Sequence, residues 1–204
     1  MSTSKQKNTP YHHGDLRNTL IAAGVKMISE QGEAAISMRK LAKEAGVSHN
    51  APYMHFADKE ALLAAIAEEG FHILTNYISQ AIAEDQGDWM ERLLAGCWAY
   101  VRFALEHPSH LNLMFRDYDP EKYPSLYEVS TGSLELLQKL IDAGQKLKLV
   151  IQGDSKQIAT LIWSLLHGIS VILAGRRMPP TVMGDNTPQE LVDMFVSMMH
   201  KGLG

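Results

Sequence analysis

Apolar residues recur at helical spacing along nearly all of this sequence, and that period excludes most folds at the outset. Leu16, Leu20, Ala23, Met27 and Ile28 mark a first helix, with Gly32 placed to end it. Ser37 is a good N-cap, and Met38, Leu41, Ala42 and Ala45 follow it on one helical face. Ala45-Gly46-Val47 forms a tight break, after which Ser48 caps a short third helix ending near Phe56. Asp58 caps a long helix with the stripe Leu62, Leu63, Ile66, Gly70, Ile73, Leu74 and Tyr77. Asp88 with Glu91, Asp154 with Gln157 and Thr187 with Glu190 each pair a cap with a reciprocal group three residues on. Pro188 stands at N1, where a missing N–H costs nothing. The expected later helices are 88–106, 108–116, 124–146, 154–174 and 188–202, with polar loops at 117–123 and 176–186. No hairpin signal interrupts this pattern, so the chain is expected to be all-α.

Length and composition narrow the class further. At 204 residues and 46% hydrophobic, the chain is long enough for one large or two small packed domains. Cys97 is the single cysteine, so no intrachain disulfide is possible, which suits a reducing cytoplasm. Residues 1–16 are polar and lack the apolar core of a secretory signal. Net charge is −4 but uneven. Residues 1–60 hold eight Lys or Arg against six Asp or Glu, with four histidines, whereas 61–204 hold eleven against seventeen. A mildly basic head on an acidic body points to a polyanion partner for the head alone. Ile158 to Gly175 has no charged residue, yet Thr160, Ser164, His167 and Gly168 put polar and small groups on one face. It reads as a buried core or interface helix rather than a membrane span.

Two short helices joined by Ala45-Gly46-Val47 have the spacing of a helix-turn-helix. The second carries Ser48, His49, Asn50, Tyr53 and His55, with Val47 and Phe56 as core anchors. Such a hydrogen-bonding face packs poorly inside a protein and suits a DNA major groove, where asparagine pairs bidentately with adenine. The expected architecture is therefore an N-terminal three-helix DNA-binding domain, with a basic arm, over 1–57. A helical effector-binding and dimerisation domain follows over 58–204.

The run from Ile36 through Ser48, continuing as Tyr53-Met54-His55-Phe56 and Asp58-Lys59-Glu60-Ala61-Leu62, resembles the DNA-binding domain of the TetR/AcrR transcriptional regulators. Tyr11-His12-His13-Gly14-Asp15-Leu16-Arg17 and Trp163-Ser164-Leu165-Leu166-His167-Gly168 resemble one branch of that family, with a Trp-His-Gly type C-terminal domain. The resemblance implies a dimeric transcription factor, usually a repressor, that binds a double-stranded operator and senses a small molecule. By position it sets His49, Asn50 and Ala51 on base edges, and Ser48, Tyr53, His55 and Lys59 on phosphates beside Ser37 and Arg39. Asn50 and Ala51 stand where the family usually has Gly or Ala and then Thr, so base preference does not carry over. Pro52 replaces an apolar residue and costs at most one helix hydrogen bond. Arg17, with Lys5 and Lys7, forms an arm over the duplex, or the two lysines belong to a solvated tail.

In the body, Leu161, Leu165, Ile169 and Ile172 on one helix and Leu191, Phe195 and Met198 on the last give more apolar surface than one core needs. In the resembled family these helices pair with their copies in a homodimer, and two-fold symmetry is what two DNA half-sites require. Trp98, Phe103, Met114, Phe115, Tyr118, Tyr127, Leu137 and Trp163 suggest a pocket for a hydrophobic or aromatic effector, with Ser164, Tyr127 and His167 as polar anchors. No catalytic residue, metal site or cofactor is expected: Cys97 has no neighbouring His in the sequence, and there is no phosphate-binding loop, HExxH or CxxC spacing. The competing reading is a helical small-molecule carrier or adaptor that never touches DNA.

Overall fold

Cap residues decide where the helices start, and most lie where the sequence puts them. The computed structural model describes residues 13–175, 177 and 179–203; Lys5, Lys7, Tyr11 and His12 of the expected arm lie outside them. The described residues form ten α-helices and two 3₁₀ turns, and no strand. They divide into two compact units, one running through Ile66 and the other from Ala67, each with its own core. This division falls nine residues beyond the expected 57/58 boundary, inside a continuous helix.

The first unit contains α1 (His13–Gln31), a 3₁₀ turn (Glu33–Ala35), α2 (Met38–Glu44), a second 3₁₀ turn (Ala51–Met54) and the first turns of α3 (Lys59–Glu84). Leu20, Ile21, Met27, Leu41, Phe56, Leu62 and Ile66 are buried together in its core. Leu62 and Ile66 belong there because Gly24 on α1 lets them come close: a Cβ at Gly24 would lie 3.0 Å from the Ile66 Cδ1. The Ser37 hydroxyl accepts from the Lys40 N–H at 3.3 Å, and the Asp58 carboxylate accepts from Ala61 N–H at 2.8 Å. At the end of α2, Gly46 adopts φ +69°, with Val47 N–H bonded to Ala42 O and Gly46 N–H to Lys43 O. That pair of bonds is a Schellman closure, which needs a left-handed residue and so favours glycine.

The third head element departs from expectation. It is a 3₁₀ turn rather than an α-helix, and Ser48 offers its carbonyl, not its side chain, to the Ala51 N–H at 3.0 Å. Pro52 is buried and has no N–H, so the α-type bond back to Ser48 cannot form; the tighter turn replaces it.

The second unit contains the rest of α3, then α4 (Trp89–Glu106), α5 (Pro108–Met114), α6 (Pro124–Ser130), α7 (Gly132–Lys146), α8 (Ser155–Ala174), α9 (Pro180–Met183) and α10 (Pro188–Leu203). α4 is central and packs on α5, α7, α8 and α10. It begins with a full capping box between Asp88 and Glu91, and its Trp89 indole donates to Leu140 O at 2.7 Å. Thr187 and Glu190 exchange the same reciprocal bonds, whereas Asp154 accepts from Lys156 and Gln157 N–H. The helix expected over 124–146 is broken into α6 and α7 at Thr131. There the Thr131 hydroxyl turns to Glu135, and Gly132 lies against Thr75, where a Cβ would stand 3.1 Å from its Oγ1. The expected loop 176–186 holds the single turn α9.

α8 is long and apolar enough to cross a membrane. It buries Ile158, Ala159, Ile162, Leu166, Ser170 and Leu173 and turns Leu161, Leu165 and Ile172 outward. On α10, Met194 and Met198 are exposed, while Val192 and Val196 are buried. Leu191 also points inward, which corrects its expected place on an intermolecular face. It lies beside Val192 on the stripe that closes over the protomer's own core.

Candidate functional site

The residues between Val47 and Phe56 supply the polar face that the sequence suggests. Ser48, His49, Asn50 and Tyr53 are exposed, and Ala51 and His55 are half-buried. Pro52 and Phe56 anchor the segment from below. His49 Nδ1 and Asn50 Oδ1 lie 3.3 Å apart, and the His49 and Tyr53 rings are 6.3 Å apart. Ser37 and Arg39 are exposed at the start of α2. Arg17 is half-buried, its guanidinium 5.7 Å from the centre of the Phe56 ring. Lys59 has a structural partner that sequence reasoning missed: its ammonium donates to the Glu33 carbonyl at 2.8 Å. That bond accounts for a lysine at a helix N-terminus, where the helix dipole alone disfavours it.

In the second unit, a cavity of about 380 Å³ opens among α3, α5, α6, α7 and α8. Its walls include Phe71, Met114, Phe115, Leu126, Leu134 and Trp163, together with Tyr118 and Tyr127. The Tyr127 hydroxyl donates to Tyr118 O at 2.6 Å and ties α6 to the preceding loop. Five of the expected pocket residues thus come together: Met114, Phe115, Tyr118, Tyr127 and Trp163. The volume falls in the range of small-molecule sites, about 300–1,000 Å³. A second space of about 20 Å³, bounded by Gly96, Cys97, Tyr100 and Leu137, shares Trp163 and Ser133 with it.

Five expected residues do not line the larger cavity; of these, Leu137 borders only the smaller space. Phe103 is fully buried, stacked on His107 and edge-on to Tyr77, and serves the core of α4. Trp98 is half-buried elsewhere on α4. Ser164 is exposed and returns its hydroxyl to Thr160 O at 2.8 Å. His167 lies behind the wall: its ring stacks on Trp163 and sits 4.3 Å from the Phe115 ring centre. Its Nδ1 shares a 2.9 Å hydrogen bond with the Tyr100 hydroxyl. Burial holds the His167 imidazole below its usual pKa and raises that of Tyr100, so both groups are neutral near pH 7.

The sequence also missed Phe71, Arg116, Leu126, Ser130, Thr131, Ser133, Leu134 and Thr160 as cavity residues. Phe71 and Leu126 carry only an ordinary core signal, and Ser130, Thr131 and Ser133 gather where the unforeseen break at Thr131 turns the chain. Among the described residues, no three His, Cys, Asp or Glu side chains form a group able to hold a metal.

Comparison with known proteins accords with this geometry. Residues 20–66 match the family described as bacterial regulatory proteins, tetR family. Residues 93–199 match the tetracyclin repressor-like C-terminal domain. The tetracycline repressor protein class G of Vibrio anguillarum is 36% identical over 73 residues, 36% of this chain and 33% of the repressor. The fatty acid metabolism regulator protein of Bacillus subtilis is 29% identical over 136 residues, 67% of this chain and 61% of the regulator. The chain therefore spans about a third to three-fifths of the length of these curated relatives. A solved protein of unknown function from Rhodococcus sp. RHA1 superposes with TM-score 0.84 at 34% identity, covering 96% of this chain and 99% of its own. With a helix-turn-helix head, a hollow helical body and a family match over more than half its length, this chain belongs to the TetR family of bacterial regulatory proteins.

Proposed function

We propose that the protein is a cytoplasmic, homodimeric transcriptional repressor released from a palindromic operator by a small apolar effector. The carrying observation is the exposure of Ser48, His49, Asn50 and Tyr53 on one short segment, with His49 set against Asn50 and Tyr53. In this reading His49, Asn50 and Ala51 approach base edges, and Ser48, Tyr53 and His55 approach phosphates, with Ser37, Arg39 and Arg17 alongside. Lys59 has one N–H engaged with Glu33 and two left for a phosphate.

Dimerisation through α8 and α10 is supported by Leu161, Leu165, Ile172, Met194 and Met198, all exposed on the protomer. Ile169 and Phe195 are half-buried beside them. Gly168 supports it too: a Cβ there would meet nothing within 4 Å among the described residues, so no described neighbour in the protomer requires the glycine. Glycine inside a helix costs about 1 kcal/mol relative to alanine, and close approach of a second chain is a reason to keep it. The domains act as a reader over roughly 1–57 and a sensor over 58–204, and α3 runs unbroken across the division of the two compact units after Ile66. An effector that fits one body conformation better shifts the spacing of the two heads, and so the match to the half-sites.

The test is binding to a duplex enriched from a random DNA pool, measured against salt concentration. Asn50→Ala is expected to cost about 1–3 kcal/mol and to relax preference at one base position. Tyr53→Ala weakens binding to all sequences alike. Unchanged affinity in both variants refutes the DNA reading.

A further inference from the structure

A buried serine stands between the two spaces of the helical body. Ser133, in the first turn of α7, is 8% exposed and lines both the larger cavity and the small space beside Cys97. No described residue hydrogen-bonds its hydroxyl, and the oxygen is not sealed by protein atoms. Its open surface therefore belongs to the spaces it lines. An unpaired hydroxyl in such a wall is unfavourable, and a molecule that pairs with it recovers the missing hydrogen bond.

The other hydroxyls of the wall are spent or closed off. Ser130 donates to Tyr127 O at 2.8 Å, Tyr127 to Tyr118 O at 2.6 Å, Thr131 to the Glu135 carboxylate at 2.9 Å, and Thr160 to Lys156 O at 2.7 Å. Each commits its one O–H within the protein. The Tyr118 oxygen is shut in by surrounding protein, and Tyr118 has contacts of its own. Thr131 and Thr160 are exposed and belong to the solvent side, whereas Ser133 lies at depth.

Depth also decides the charge of what meets Ser133. No Lys, Arg, Asp or Glu lines the small space. Arg116, the charged residue of the larger wall, is exposed and already has a partner within the protein. Glu135 sits in the same first turn of α7 and accepts from Thr131, so that helix end carries its own negative charge. An ionised group at Ser133 would lose its water without gaining a counter-ion, so a neutral oxygen is favoured there.

We infer that the effector meets Ser133 with a neutral carbonyl or hydroxyl oxygen, sends a short apolar end into the small space, and rests an apolar or aromatic body against Phe71, Leu126, Leu134 and Trp163. At about 20 Å³ the small space has room for about one group the size of a methyl. This rests on the cavity being the effector site, as proposed above, and adds the polar group that orients the ligand.

Isothermal titration of the full-length protein tests it with probes that share a phenyl body. Benzylacetone ends in a methyl ketone, butylbenzene lacks the oxygen, and phenylbutyrate and phenylbutylamine carry charge. Ser133→Ala is expected to weaken benzylacetone about two- to tenfold, the worth of one hydrogen bond, and to leave butylbenzene as tight or tighter. On the wild-type protein both charged probes are expected to bind about tenfold or more weakly than the ketone. Leu134→Trp, which fills the larger space, is expected to block both neutral probes, with circular dichroism checking that each variant keeps its helices. Benzylacetone affinity unaltered in Ser133→Ala, or an equal loss for butylbenzene, overturns the Ser133 assignment and leaves the cavity as the effector site. A charged probe binding as tightly as the ketone overturns the neutral oxygen. Probes that fail to bind, or that bind Leu134→Trp as before, overturn the assignment and the cavity reading together.

Discussion

Replacing Leu161 by Glu probes the surface proposed above to pair two copies of the chain. Leu161 is 65% exposed on the protomer, so the change removes little from the fold of a single chain. In a dimer it removes much more. Fully burying a leucine is worth about 1.5–3 kcal/mol, so covering the exposed two-thirds contributes about 1–2 kcal/mol per chain. Two-fold symmetry applies the change twice, giving a loss of about 2–4 kcal/mol before any cost of burying the carboxylate. The dimer dissociation constant should rise about 30- to 700-fold. Sedimentation equilibrium across a dilution series measures that constant, and circular dichroism checks that each chain keeps its helices. An unaltered constant, or a wild-type chain that is monomeric throughout, refutes α8 as the interface.

Three further outcomes follow from particular contacts. Gly144→Ala sets a Cβ 2.5 Å from the Trp89 Cζ2 and strains the indole bond to Leu140; overpacking outweighs the helix-propensity gain, and thermal melts should show a loss of about 1–3 kcal/mol. Burial pushes the Cys97 thiol up to about 12, so Ellman's reagent at pH 8 should label it only after unfolding. Burial also holds His107 and His167 below the ordinary imidazole pKa, with the neighbouring His110 adding to the effect at His107. As pH falls through about 6.5 the unfolded chain takes up protons that these folded imidazoles refuse. Stability is therefore full above that pH and is lost below it; melting temperatures should drop between pH 7.5 and 5.5, and less so in a His107→Gln, His167→Gln double variant.

Local chemistry made most of the helix boundaries legible. Ser37, Asp58, Asp88 and Asp154 cap where their side chains predict, because a cap depends on only three or four neighbouring residues. The 3₁₀ turn at Pro52 and the break at Thr131 were not foreseen, since both turn on which of two local hydrogen bonds wins. The cavity was half legible. Period identifies residues that avoid water, but not whether they meet another side chain or an empty space. Phe103 and Leu191 therefore read like Phe115 and Leu165, yet fill the core instead. Arg116 escaped notice for the opposite reason: a charged loop residue looks solvated until its neighbours in space are known.

In the proposed function, Ser48 through His55 reads duplex DNA, once per chain and in a symmetric pair. Sequencing the fragments that the intact protein enriches from a random duplex pool tests it most directly. The expected product is an inverted repeat whose half-site centres lie about 34 Å apart or a multiple of that, with enrichment lost in Tyr53→Ala. No enrichment over input, or a single motif without two-fold symmetry, contradicts it.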